Sequence, residues 1–202
     1  MSEVLIYRTI PEQVTNRLRH EILSGKLQPG QPLREQEIST RFEVSRGPIR
    51  EALRQLTQQG LLVSEPNKGV RVAQYLSESV RPLTVELRRK IESFVLDSIF
   101  EQITETNIES WARILTDIKA ACETGDVAAL VDHDLRFHQA IIQSHDDKDL
   151  FALWQPIALR ILMQYNRFPD LMDSYHEHKT ILDAIRSSDK AAAIAALEAN
   201  IQ

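Results

Sequence analysis

Hydrophobic positions follow two different patterns along the chain. Before residue 76 they lie in short segments separated by turns, and three of these segments repeat at helical spacing. The first opens at Pro11 and stops at Gly25, the second is REQEISTRF (34–42), and the third runs from Ser45, a candidate N-cap, to Gly60. The residues KLQPGQPL between the first two form an extended connection. Two β-branched runs around the turn EPNKG predict a hairpin in LLVSEPNKGVRVA (61–73).

The order helix, helix, tight turn, helix, hairpin is the layout of a winged helix-turn-helix domain, whose third helix enters the DNA major groove. Arg46, Arg50 and Arg54 are spaced by four on one face of that helix, where arginine can contact guanine or phosphate. Gly47 leaves room for close approach, and the wing tip Asn67-Lys68-Gly69 can reach the adjacent minor groove or backbone. A small domain with solvated arginines that makes protein contacts has the same pattern, so both interpretations stay open here.

From Leu83 onward the pattern changes to long amphipathic segments that predict about six helices and no convincing strand. Asp126 is a candidate cap of the third, and Pro156 predicts a kink or break in the fourth, KDLFALWQPIALRILMQYNRF. The sequence therefore predicts a mainly α protein. Its parts are a winged helix-turn-helix domain (1–75), a linker (76–82) and an all-α bundle (83–202).

Charge differs between the two predicted domains. Residues 1–75 carry 11 Lys and Arg against 8 Asp and Glu, whereas residues 76–202 carry 13 against 21. A basic N-terminal domain joined to an acidic bundle suggests that nucleic acid binds at one end and something else at the other. The sequence shows no signal peptide and no apolar run of membrane-span length, and Cys122 is the single cysteine. These features predict a cytoplasmic protein.

The N-terminal motifs are dense enough to suggest a family. The loop GKLQPG, the segment LREQEIS, the turn and helix VSRGPIREALRQL, and GLL before the GV of the wing together resemble the DNA-binding domain of GntR-family bacterial transcription regulators. The resemblance covers about 60 residues and is specific. It implies that Arg34, Arg46 and Arg50 contact operator DNA, with Gly69 at the wing tip; Ser45, Gly47 and Lys68 complete the predicted DNA-binding set.

The stretch DHDLRFH (132–138) raises the question of a metal site. Asp134 and His138 lie one turn apart on a single helix face. If the last two helices pack as an antiparallel hairpin that turns near Asp189, residue 178 faces residue 200 and can join that pair. One carboxylate with imidazoles suits a divalent metal such as Zn²⁺, Ni²⁺ or Mn²⁺. The same pattern also fits a solvated or hydrogen-bonded Asp/His pair.

The motif DLRFH, with the later EHKTILDAIRSSDKAAA, resembles the FadR C-terminal domain, an effector-binding bundle of one GntR subfamily. The resemblance implies that Asp134, His138 and His178 bind a metal that receives a small organic acid. Asn200 occupies the position where the family has its last histidine, and an amide oxygen is a poorer ligand than imidazole for such metals. The site is then weak, uses His176 or water instead, or is lost.

A carboxylate effector also needs a cation, and LRRK supplies Arg88, Arg89 and Lys90. Arg88 occupies the position of an arginine in the family's R-x-x-x-E helix and is the predicted effector-binding residue; otherwise all three are surface charges. Trp111, Trp154, Met163 and Tyr165 are expected in the core.

The sequence predicts a transcription regulator that acts as a repressor, binds operator DNA as a homodimer and responds to a small carboxylate metabolite. It does not predict an enzyme. The alternatives are a metal-free bundle that holds an acyl ligand or only dimerises, and a metal-dependent hydrolase fused to a docking module.

Overall fold

A computed structural model of the chain describes residues 9–66, 68–165 and 170–202. The chain divides into two compact units between Tyr75 and Leu76. Within the described residues, no helix has both the length and the apolar content needed to cross a membrane.

The first unit combines three helices with a small antiparallel sheet. Its elements are α1 (Ile10–Leu23), β1 (Pro32–Leu33), α2 (Glu35–Phe42), α3 (Arg46–Gln58), β2 (Leu62–Glu65) and β3 (Gly69–Val72). The strand order is β1-β3-β2, and the buried side chains of the three helices form the core. The predicted winged helix-turn-helix fold is confirmed.

The local sequence explains where α1 begins and ends. Thr9 and Glu12 form a capping box, in which each side chain bonds the other's backbone N–H, and Pro11 lies in the first turn. Val14, Leu18 and Ile22 then follow the helix period into the core. The helix ends at Leu23, just before Gly25 takes a φ of +73°.

Two details of the first unit differ from the sequence prediction. The extended connection contains the two-residue strand β1, which pairs with β3 through Pro32–Arg71 and Leu33–Val70. Such a short segment carries too little periodicity to be recognised, because its pairing partner lies about 40 residues away in the chain. Ser45 is the N-cap residue of α3, but its side chain makes no capping hydrogen bond with the described residues.

The second unit is an all-α bundle in its described part. Its helices are α4 (Arg81–Ile99), α5 (Glu105–Thr124), α6 (Val127–Gln143), α7 (Lys148–Leu162), α8 (Met172–Arg186) and α9 (Lys190–Asn200), with a 3₁₀ turn at Phe100–Gln102. The predicted bundle of about six helices is confirmed. Asp126 caps α6 by accepting a 3.0 Å hydrogen bond from the Ala129 backbone N–H, as the sequence predicts.

Three features of the bundle depart from the sequence pattern. α4 begins at Arg81, inside the segment predicted as a linker, because Pro82 is well suited to the first turn of a helix. α7 continues through Pro156 and ends at Leu162, before the end of the apolar segment. Residues 166–169 of that segment lie outside the described residues. Trp111 and Trp154 are fully buried in the core, as expected.

Candidate metal centre and nucleic-acid interface

Three candidate metal ligands meet inside the bundle. Asp134 and His138 project from neighbouring turns of α6, and His178 projects from α8. One ligand atom from each lies within 4.8 Å of the other two, and all three side chains are buried. The structure therefore brings together the three residues that the sequence analysis selected, across two helices that are about 40 residues apart in the chain.

Hydrogen bonds orient both imidazole rings. His138 Nδ1 is 2.6 Å from Glu92 Oε2, and His178 Nδ1 is 2.7 Å from the backbone carbonyl of Ser174. A carbonyl oxygen only accepts hydrogen bonds, so Nδ1 of His178 carries a proton and donates it. A partner of this kind on Nδ1 is the usual arrangement that directs the Nε2 lone pair of a histidine toward a metal.

The centre of the cluster needs positive charge. His178 Nε2 lies 3.4 Å from Asp134 Oδ1, and these two electron-rich atoms repel each other unless a cation or a proton lies between them. Asp134 Oδ2 and His138 Nε2 are buried and have no hydrogen-bond partner among the described residues. Buried polar atoms are normally satisfied, so orphaned acceptors within one cluster fit a bound cation. The donor set of one carboxylate and two imidazoles matches a divalent first-row metal.

Arg88 lies beside this cluster and is only 3% exposed. Its Nε donates a 2.7 Å hydrogen bond to Glu92 Oε1, and its Nη2 is 4.0 Å from Asp134 Oδ2. Burial alone would lower the pKa of Arg88, but the charges of Glu92 and Asp134 outweigh it and raise that pKa above its ordinary value. Nη2 makes no hydrogen bond to any described residue, so its N–H groups can donate to a further acceptor.

The other two cations of LRRK lie elsewhere. Arg89 Nε donates a 2.8 Å hydrogen bond to the backbone carbonyl of Ile201, and Lys90 is exposed with its Nζ 3.6 Å from Glu86. Of these three residues, only Arg88 is buried. The alternative that Arg88, Arg89 and Lys90 are all surface charges is therefore wrong for Arg88.

Glu92 is the residue for which the sequence analysis gave no role. Its carboxylate accepts hydrogen bonds from Arg88 and from Trp154 Nε1 (2.6 Å) on one oxygen and contacts His138 on the other. Burial raises the pKa of Glu92, but the charge of Arg88 and these hydrogen bonds outweigh it and hold that pKa at about 2. A signal was present in the sequence, because Arg88 and Glu92 are four residues apart on the same face as the apolar Val85, Val95 and Leu96.

Asn200 is buried at the end of α9. Its Nδ2 donates a 3.0 Å hydrogen bond to Glu177 Oε2, the side chain adjacent to His178 in the chain. Its Oδ1 has no hydrogen-bond partner in the described part of the chain, which leaves that oxygen able to accept. His176, considered as a substitute ligand, is exposed, because two residues correspond to about 200° around a helix from buried His178.

The predicted DNA-binding residues are all exposed on the first unit. Its cations already have partners within that unit: Arg34 with Glu37 (2.9 Å), Arg46 with Gln36, Arg50 with both oxygens of Glu35 (3.1 Å each), and Lys68 with Glu65 (2.7 Å). A Cβ placed at Gly47 or Gly69 would meet no described atom within 4 Å, so the surface is open there. Asn67 lies outside the described residues.

A winged helix-turn-helix unit together with a helical bundle that encloses a charged cluster defines a DNA-binding protein of the regulatory class. Comparison with protein-family models identifies the family. The model for bacterial regulatory proteins of the gntR family matches residues 10–72, and the FCD domain model matches residues 84–202. The chain belongs to the GntR family of transcription regulators, in the group that carries an FCD domain, and is thus a DNA-binding regulator and not an enzyme.

Individual relatives agree with this assignment. The chain is 28% identical over 192 residues to a protein of Paenarthrobacter nicotinovorans named "Probable D-xylose utilization operon transcriptional repressor", covering 93% of this chain and 84% of that protein. It is 26% identical over 200 residues to the gluconate operon transcriptional repressor of Bacillus subtilis, covering 93% and 80%. The solved structure of E. coli McbR/YncC has the same fold, with a TM-score of 0.82 at 21% identity and coverage of 97% and 95%.

Proposed function

We propose that the bundle is a metal-dependent sensor of a small carboxylate, and that this ligand changes how a homodimer of the protein binds its operator. Asp134, His138 and His178 hold a divalent metal, and Arg88 contributes to the effector site. The observation that carries the proposal is the set of buried atoms at one place, Asp134 Oδ2, His138 Nε2 and Arg88 Nη2, that have no hydrogen-bond partner among the described residues. Zn²⁺, Ni²⁺ and Mn²⁺ are the candidate metals.

The charges around the cluster support a fixed order of binding. Arg88, Glu92 and Asp134 together carry a net charge of about −1 when the histidines are neutral, which favours a cation and opposes an anion. A divalent metal would reverse the sign to about +1, and the bound metal then supplies a Lewis-acidic centre for a carboxylate oxygen. Arg88 Nη2 is a further donor for the same anion. The carboxylate is therefore expected to bind only after the metal.

The N-terminal domain contributes the DNA contacts in this proposal. Arg46 and Arg50 on α3 read or clamp the major groove together with Ser45 and Gly47, and Arg34 contacts phosphate. Lys68 and Gly69 belong to the wing. Their exposure on one domain of a GntR-family protein supports these roles.

The outer face of α4 supports dimerisation of the bundle. Leu83, Leu87 and Phe94 are 62%, 45% and 55% exposed, and their spacing of four and seven residues aligns them along one side of the helix. We take a second copy of the chain as the partner of this apolar face, since a symmetric dimer reads a pseudo-palindromic operator. Residues 1–75 serve as the DNA-binding domain and residues 83–202 as the sensor of a cytoplasmic protein. Of the predicted linker 76–82, residues 76–80 precede α4 and connect the two.

Metal binding is tested by stripping the full-length protein with a chelator and titrating Zn²⁺, Ni²⁺ and Mn²⁺ separately by calorimetry. Wild type and the control Asp132→Ala are expected to bind one equivalent, whereas Asp134→Ala is expected to lose binding, because Asp132 is only half-buried and outside the cluster. Wild type that binds none of the three ions would overturn the metal proposal and favour a metal-free bundle that holds an acyl ligand or only dimerises.

The coupling to DNA has its own test. Small carboxylates, with gluconate as the first probe because of the relative's name, are added to the metal-loaded protein, and both bundle stability and affinity for DNA selected from a random pool are measured. A ligand shifts DNA affinity only if it favours one arrangement of the protein over another. Unchanged DNA affinity with every carboxylate that stabilises the bundle would exclude the coupling.

A further inference from the structure

Glu92 is a buried side chain of α4 that lies outside the candidate ligand set. It is 1% exposed and takes part in three contacts of 2.6–2.7 Å that join α4, α6 and α7. Two of the residues that contact its carboxylate are Arg88, the proposed effector-binding residue, and His138, a proposed metal ligand. A carboxylate at this position therefore affects both parts of the proposed site without being a ligand itself.

We propose that Glu92 is the positioning residue that makes His138 a metal ligand, by fixing which ring nitrogen carries the proton. An ionised carboxylate only accepts hydrogen bonds, so the 2.6 Å contact requires Nδ1 of His138 to be the donor. The lone pair of neutral His138 is then on Nε2, the atom that has no hydrogen-bond partner in the described residues. This inference rests on the proposed function only for its consequence, metal affinity, and not for the tautomer.

The other oxygen of Glu92 makes the idea testable with a single substitution. Oε1 accepts from Arg88 Nε and from Trp154 Nε1, and both of these groups are donors without any acceptor capacity. In Glu92→Gln, the amide oxygen must therefore stay on the Arg88 and Trp154 side, and the amide NH₂ must face His138. Nδ1 of His138 then has to accept, which moves the ring proton to Nε2 and removes the lone pair that would bind the metal.

Loss of charge adds to the tautomer effect. Glu92 is the nearest counter-ion of Arg88, at 2.7 Å, so the amide variant leaves the guanidinium less compensated and raises the positive potential at the cluster. Metal affinity alone would not separate this charge effect from the tautomer effect. The protonation site of His138 does separate them, because a purely electrostatic or structural role for Glu92 predicts no exchange of the proton between the ring nitrogens.

The experiment uses full-length protein and reads ¹⁵N shifts of the His138 ring by two-bond ¹H–¹⁵N correlation in the metal-free state, followed by Zn²⁺ titration. Wild type is expected to have Nδ1 protonated and Glu92→Gln to have Nε2 protonated, with metal affinity reduced roughly 10- to 100-fold. Trp154→Phe is the matched control, since it removes one donor from the same carboxylate but leaves the His138 contact. Its metal affinity should fall much less than that of Glu92→Gln.

The outcomes are distinguishable. Nε2-protonated His138 in the wild type overturns the inference even if Glu92→Gln does not fold, and so does an unchanged tautomer in a folded variant. If wild type has the expected tautomer but binds no metal, the tautomer role stands and the proposed metal function fails. If metal binds equally to wild type and Glu92→Gln, the positioning role fails and the metal function stands.

Discussion

The proposed DNA-binding surface of the first domain and the buried cluster of the bundle both pair arginine with glutamate, but in opposite surroundings. Arg50 and Glu35 are 3.1 Å apart with side chains 71% and 36% exposed, whereas Arg88 and Glu92 are 2.7 Å apart with 3% and 1% exposed. Solvent screens an exposed pair so that it contributes little to stability, and in the proposed DNA interface Arg50 can therefore exchange its carboxylate for a DNA phosphate at little cost. A buried pair cannot exchange with solvent, because removing either charge leaves the other desolvated.

The difference shows how each region can bind its ligand. On the first domain the cations of the proposed DNA interface already have partners, and DNA binding would replace one partner with another. In the bundle the pairing is incomplete, since Asp134 Oδ2 and Arg88 Nη2 lack hydrogen bonds to the described residues. The proposed metal and carboxylate would fill positions that are already in place. We therefore expect substitutions in the bundle to change stability and ligand binding together, and substitutions of the exposed charges on the first domain to change DNA binding with little effect on stability.

The largest effect is expected from Arg88→Met in the metal-free protein. This change leaves Glu92 and Asp134 buried without their common counter-charge, and breaking a buried pair in this way costs about 3–5 kcal/mol. Both tryptophans lie in the bundle, so urea unfolding followed by tryptophan fluorescence reports this domain specifically. Lys90→Met, two residues away and exposed, should change the free energy of unfolding by less than about 0.5 kcal/mol. Equal, small changes in the two variants would remove the distinction between the buried and exposed charges.

An intermediate effect is expected from Arg50→Ala, and it should appear in DNA binding with little loss of stability. If Arg50 makes a bidentate contact to guanine, the substitution should cost about 1–3 kcal/mol of binding free energy for the selected DNA sequence and relax specificity at one base position. If Arg50 contacts phosphate, the slope of log affinity against log salt concentration should decrease by about 1. Fluorescence anisotropy at several salt concentrations measures both quantities. Arg113→Ala, an exposed arginine of the bundle paired with Glu109, is the control. Wild-type affinity and salt slope in Arg50→Ala would show that this residue does not contact DNA.

The sequence was sufficient for the fold because periodicity reports which face of a helix is buried. The three short helices, the hairpin and the six-helix bundle all follow from local spacing, and so does the pairing of Asp134 with His138 on α6. The strand β1 does not follow, since its two residues acquire their structure from β3. Local patterns cannot determine pairing between segments that are distant in the chain.

The candidate site also contains residues that the sequence predicts and one, Glu92, that it does not. His178 was placed with Asp134 by a resemblance and by the expected hairpin of the last two helices, and the structure brings the two within 3.4 Å. Glu92 was not assigned, because its role depends on Trp154 and His138, which are 62 and 46 residues away. A charged residue on an apolar helix face signals burial in the sequence, but its hydrogen-bond partners are defined only by the packed bundle.

The smallest effect is expected from Glu35→Gln, which tests whether the exposed pair behaves as a surface pair. The hydrogen bond from Arg50 and its charge lower the pKa of Glu35 below its ordinary value of 4.5. A carboxyl with a lowered folded pKa contributes stability that is present above the unfolded pKa and lost as the pH falls through the folded value. The melting temperature of wild type should therefore exceed that of the variant slightly at pH 6, and the difference should shrink toward pH 3. Glu37→Gln, which loses an exposed 2.9 Å contact to Arg34, is the matched control for removal of one surface carboxylate.

Because Glu35→Gln also releases Arg50, the variant should bind non-specific DNA more tightly by a few-fold at low salt, in line with added positive charge on the proposed DNA-binding surface. A large, pH-independent loss of stability would instead mean that the Arg50–Glu35 pair contributes to the fold of this domain in the way that Arg88–Glu92 does in the bundle.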